Sequence, residues 1–82
     1  MVTVHKEHRF RFAVLTDDHE PAHVHVFGDG EMKVEIMSED GLPKMIWSVG
    51  FKRNDRRRIM DVVKEQQAAL LAAWIEMHGS IL

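Results

Sequence analysis

The stretch "HVHVFGDGEMKVEI", from His23 to Ile36, limits the possible folds more than any other part of the chain. Two runs of period-two alternation flank Gly28, Asp29 and Gly30, which is the pattern of a β-hairpin. Its register decides what can be buried, because a slip of one residue turns every side chain to the other face. A two-residue loop of Asp29 and Gly30 would group His23 and His25 with Ile36 and Val34, and Val24 and Val26 with Glu35 and Lys33. Both faces would then be mixed. A three-residue loop, Gly28 to Gly30, sets Val26 against Met32, His25 against Lys33, Val24 against Val34 and His23 against Glu35. Only Phe27 and Glu31, at the tip, remain discordant, and a glycine can supply the positive φ that such a loop needs. The three-residue loop is therefore the expected one.

The rest of the chain is read around this hairpin. "KEHRFRFAVLT" alternates too, with Phe10, Phe12 and Val14 on one side and Arg9 and Arg11 on the other. Asp17 to Ala22 reads as a loop, and "KMIWSVGF" after the turn "EDGLPK" reads as a further strand. From Asn54, a plausible N-cap, the period changes: Ile59, Val63, Leu70, Trp74 and Met77 recur at helical steps until Gly79 stops them. The spacing predicts a helix over about 54–78, roughly 36 Å long at 1.5 Å per residue. The expected fold is α+β: one domain over residues 1–82, with three or four mostly antiparallel strands within 5–51 and one long helix packed on one face. Phe10, Phe12, Val14, Val24, Val26, Met32, Val34 and Ile36 would face the helix, while Arg9, Arg11, His23, His25, Lys33 and Glu35 would face away.

An 82-residue chain builds only a small core. The absence of cysteine excludes disulfides, thiolate zinc sites and cysteine nucleophiles, and leaves His, Asp and Glu to hold any metal. No apolar run reaches the ~18 residues of a membrane span, and the first ten residues lack a signal-peptide core, so a cytoplasmic protein is expected. Charge is unevenly spread. Residues 1–50 hold five Lys and Arg against nine Asp and Glu, whereas residues 51–82 hold six against four. "KRNDRRR" concentrates the excess, and Lys52, Arg53, Arg56 and Arg57 are candidates for contact with phosphates or an acidic protein. At a helix N-terminus such a cluster conflicts with the dipole.

Three readings of His23 and His25 remain open. Two residues apart on a strand, they lie ~6.6 Å apart at Cα and could share an ion, with His19, Glu35 or Asp29 as a third ligand. They could also divide acid and base roles, since Glu35 opposite His23 favours the imidazolium and Lys33 opposite His25 favours the neutral ring. Arg9 and Arg11 would then stabilise charge developing on a phosphate, which makes metal-independent RNA cleavage chemically accessible without a serine or cysteine nucleophile. In the third reading the pair is the solvated or partner-facing side of a sheet. His5 and His8 are expected to be exposed, His78 to lie in the last helical turn, and Trp47 and Trp74 to belong to the core.

"DHEPAHVHVFGDGEMKVEI" together with "RRRIMDVVKEQQAALLAAWIEMHG" resembles the small bacterial domain-of-unknown-function family 4160. Asp18, His19, Pro21, His23, His25 and Trp74 fit its pattern, while Glu20, Ala22 and Val24 depart from it. The resemblance implies a gene arrangement like that of toxin and antitoxin pairs. The expected function is thus a toxin-like component neutralised by a small antitoxin-like protein and acting on RNA through His23, His25, Arg9 and Arg11. The alternative is a non-catalytic protein-binding module that assembles with a partner. A nuclease should gather the histidines and an arginine around one cleft; a module should carry an exposed apolar patch.

Overall fold

A computed structural model describes residues 2–15, 19 and 21–79. Five strands come first: β1 (Val2–Glu7), β2 (Phe10–Val14), β3 (His23–Phe27), β4 (Glu31–Glu35) and β5 (Lys44–Val49). Two helices follow, α1 (Arg53–Glu65) and α2 (Gln67–His78). The strands form one antiparallel meander in the order β1-β2-β3-β4-β5. The α+β class is as expected, but the sheet has five strands rather than three or four, and the single long helix is two.

The additional strand comes from the chain start. "KEHRFRFAVLT" is not one run, because His8 takes φ 57 and reverses the chain, pairing Glu7 with Phe10. No Gly, Pro, Asn or Asp marks this turn; its one local sign is that the four residues from Lys6 to Arg9 are all polar, which interrupts the alternation. Half of the expected loop at Asp17 to Ala22, namely Asp17, Asp18 and Glu20, lies outside the described residues, and Asp18 is one of the residues that fit the family motif.

The β3–β4 hairpin has the three-residue loop, with Phe27 against Glu31, His25 against Lys33 and His23 against Glu35. Glycine is needed at position 30 for space: a Cβ there would collide with the Val49 carbonyl oxygen, where the chain leaves β5. Gly50, beside it, has φ 82, which only glycine adopts without strain.

Helix α1 begins at Arg53, with Lys52 rather than Asn54 at its N-cap and no side-chain cap. Gln66 interrupts the helix with φ −99 and ψ 15, although its N–H still donates to Val62 O and its carbonyl accepts from the Leu70 N–H. No proline or glycine stands there. Instead the Gln67 side-chain amide donates to the carbonyls of Ile36 and Gly41, each at 2.9 Å, tying the start of α2 to the β4–β5 connection. Within that connection the Ser38 hydroxyl, at 2.7 Å, and then the Leu42 N–H hold the Asp40 carboxyl below its ordinary pKa. The bend carries one apolar stripe, Ile59, Val62, Val63, Leu70 and Trp74, over a sheet that twists beneath it, with α1 toward β5 and α2 toward β2. Gly79 ends α2 in the left-handed conformation.

The core is Phe10, Phe12, Val14, Val24, Val26, Met32, Val34 and Ile36 of the sheet against that stripe, closed by Phe51 and Ala22. Every residue expected on the helix-facing side of the sheet is buried.

Candidate functional site

The sheet face opposite the helices is set by pairing. His25 opposes Ala13 on one side and Lys33 on the other, and Lys33 in turn opposes Trp47. Along this face the rings form a row. Trp47 meets His25 edge-on at 6.4 Å, His25 lies nearly parallel to Phe27 at 6.3 Å, and the Arg11 guanidinium sits 5.1 Å from the Phe27 centroid. Such a guanidinium is attracted to the ring face. Trp47, expected in the core, is 38% exposed here. Period two explains the difference, since Trp47 shares its face with Lys33 rather than with Val34.

The histidines do not sit as open polar groups. His23 is 2% exposed and His25 8%. At the start of β3 the His23 ring lies 5.1 Å from Trp74 and 5.3 Å from His25. Its Nδ1 is 2.8 Å from the Pro21 carbonyl oxygen, which can only accept, so Nδ1 carries a proton and donates. His23 is thus sandwiched by aromatic groups at the end of the sheet and is part of the packing around α2. That corrects the expectation that both histidines point away from the packed interior.

Two charged side chains stand near His25. Lys33 lies opposite in register, and a Glu31 carboxylate oxygen is 3.5 Å from Nδ1, diagonal across the hairpin tip. The pairing that left Glu31 discordant in the sequence brings it to His25.

Of the two arginines expected beside the pair, only Arg11 is on this face. Arg9 belongs to the β1–β2 turn and donates to the Asp55 carboxylate at 3.2 Å. Asp55 is buried in the first turn of α1, on the helix side of the sheet. The missed turn at His8 accounts for this, because on a continuous strand Arg9 and Arg11 would share a face. His23, His25, Arg9 and Arg11 therefore do not surround one cleft. Among the described residues, no three His, Asp or Glu side chains lie close enough to hold a metal ion, and His19 is exposed.

The basic cluster at α1 divides as well. Arg56 donates to the Phe51 carbonyl at 2.8 Å, while Lys52, Arg53, Arg57 and Arg58 are exposed. Asp55 supplies the negative charge that a helix start favours, which offsets the dipole conflict expected of the arginines. The other histidines have local roles. His5 Nε2 donates to Glu7 at 2.9 Å, His8 is exposed, and His78 stacks on Trp74 at 3.8 Å in the last turn of α2.

The largest departure from expectation is at β5. Of the eight large apolar side chains that are exposed among the described residues, six lie between residues 37 and 49: Met37, Leu42, Met45, Ile46, Trp47 and Val49. Five of them belong to β5 or the turn before it, and β5 is the edge of the sheet. The composition of "KMIWSV" carried that signal: a strand this apolar on both faces must be central or must be covered by something.

No curated protein and no solved structure is significantly similar to the chain. A family model does match it, over residues 8–75, from the β1–β2 turn to the residue after Trp74. The chain belongs to the family described as Domain of unknown function (DUF4160).

Proposed function

We propose that the protein is a non-catalytic protein-binding module that works through β5 and the adjoining aromatic row. The observation that carries this reading is the exposed apolar strip from Met37 to Val49, in a chain whose other exposed large apolar residues are only Val2 and Ile75 among the described residues. An uncovered strip of this kind on a small domain marks a protein contact. General acid and base groups have to reach a substrate, and two rings at 2% and 8% exposure offer it little access. In the toxin and antitoxin arrangement that the family resemblance implies, such a strip is a surface by which one small protein masks another.

Co-purification with the product of the neighbouring gene tests the reading. Trp47→Ala and Val49→Lys should each weaken the complex by about tenfold or more, the range expected of central interface anchors. Full retention of the complex in both variants would remove the strip from the interface.

A second reading has one observation in its favour. Trp47, exposed on the edge strand, and Arg11, over the half-buried Phe27 ring, put a π face and a cation on one side of the sheet, the elements that hold single-stranded RNA by stacking and phosphate pairing. Here Arg11→Ala should reduce RNA affinity and its salt dependence. An affinity that does not change with Arg11 or with salt would exclude it.

A further inference from the structure

The register of β5 identifies what covers it. Glu31 to Glu35 of β4 are five residues, and they pair with Val49, Ser48, Trp47, Met45 and Lys44, leaving Ile46 as the additional residue of a bulge. The bulge resets the alternation. Met45 and Ser48 both oppose core residues, Val34 and Met32, and so lie on the helix side, whereas Lys44, Trp47 and Val49 oppose Glu35, Lys33 and Glu31 and lie on the open side. Read from Lys44 to Val49, the faces run open, helix, bulge, open, helix, open. Read backwards, they run open, helix, open, bulge, helix, open. The pattern is its own antiparallel complement about the midpoint between Ile46 and Trp47.

We propose that β5 pairs antiparallel with β5 of a second copy of this chain, joining two five-stranded sheets into one of ten strands. The proposal rests on the protein-binding reading and names the partner in it. Across the two-fold axis Lys44 opposes Val49, Met45 opposes Ser48 and Ile46 opposes Trp47, so both faces continue without a break. A regular strand laid along β5 has to leave Ile46 unopposed, as β4 does; a second β5, carrying the same additional residue, opposes it with Trp47. This is the isologous arrangement of most soluble dimers.

Charge and edge chemistry agree with this. Lys44 is the one charged residue of β5, and in this register the two copies of it stand at opposite ends of the pairing, about five residues or ~17 Å apart. That exceeds the Debye length of roughly 8 Å at physiological salt, so their repulsion is screened. The other edge, β1, is protected in the usual way by charge, with the His5–Glu7 pair and an exposed Lys6. β5 has no such protection at its centre. The joined sheet places both Trp47 rings on the open face beside the axis, which extends each row of Trp47, His25 and Phe27 toward its copy.

The chain has no cysteine, so the register can be read by cross-linking. The double variant Lys44→Cys with Val49→Cys alters two exposed positions too far apart to bridge within one chain. Under mild oxidation it should form a covalent dimer, while each single variant should not. Sedimentation of the unmodified protein should give twice the 9.5 kDa chain mass, and Ile46→Lys should weaken the dimer by about 100-fold with an unchanged circular dichroism spectrum. A unmodified protein that stays monomeric at high micromolar concentration but binds the neighbouring gene product overturns the self-pairing and leaves the binding module standing. Failure to bind either overturns both. A dimer that persists in Ile46→Lys, with no cross-link in the double variant, places the contact elsewhere and also overturns the proposal.

Discussion

At the scale of single residues, the arginines at α1 show how similar side chains in one short run take different duties. Arg56 reaches back to the Phe51 carbonyl, a buried residue at the mouth of the core, whereas Arg57 is exposed. Arg56→Ala should therefore cost about 1.5 kcal/mol, the low end for a hydrogen bond with a charged donor because the site is only partly buried. Arg57→Ala should change stability by no more than about 0.5 kcal/mol. Urea denaturation of the two variants checks this, and equal midpoints would mean that the Arg56 bond contributes nothing measurable. Asp55 and Arg9 illustrate the same lesson in reverse. Neither stands out in the sequence as a pair, since 46 positions separate them, yet they join the β1–β2 turn to the start of α1.

At the scale of elements, the hairpin register is the strongest constraint, and two substitutions probe it. Val34→Asp buries a charge between Val24 and Met45 with no partner and should destabilise the protein by several kcal/mol. A normal melting temperature would contradict the pairing. Gly30→Ala should cost at least about 2 kcal/mol, because the added methyl meets the Val49 carbonyl and the backbone of β5 has to shift. A melting temperature equal to that of the unmodified protein would show that β5 can move away freely. The β3–β4 hairpin was legible in the sequence because one pairing alone separates apolar from polar residues. The β1–β2 hairpin was not. Its turn uses His8 at φ 57 where a glycine or asparagine would have announced it, and the polar run from Lys6 to Arg9 fits a solvated strand end as well as a turn. The interruption at Gln66 is equally silent, since the stripe Ile59, Val63, Leu70 and Trp74 keeps helical spacing across it. What the pattern omits is the sheet twist that the bend follows.

At the scale of the whole molecule, the candidate site was legible only in part. The register placed His25, Lys33 and Arg11 on one face correctly, but burial depends on what lies over that face, and no local pattern reports that Trp74 comes against His23. The two tryptophans turn this into an optical test. Trp74 is fully buried between His23 and His78, whereas Trp47 lies on the open face of the edge strand. In Trp47→Phe, the remaining Trp74 should emit at short wavelength and resist quenching by acrylamide. In Trp74→Phe, which should cost about 1–3 kcal/mol for the core volume lost, the remaining Trp47 should emit at longer wavelength and be readily quenched. Pairing of β5 across two chains adds a dependence on concentration, because Trp47 then lies beside the two-fold axis against Ile46 of the other copy. Quenching of Trp47 should fall as the dimer forms, while that of Trp74 stays constant. Concentration-independent quenching of both would mean that β5 keeps its exposed edge in solution.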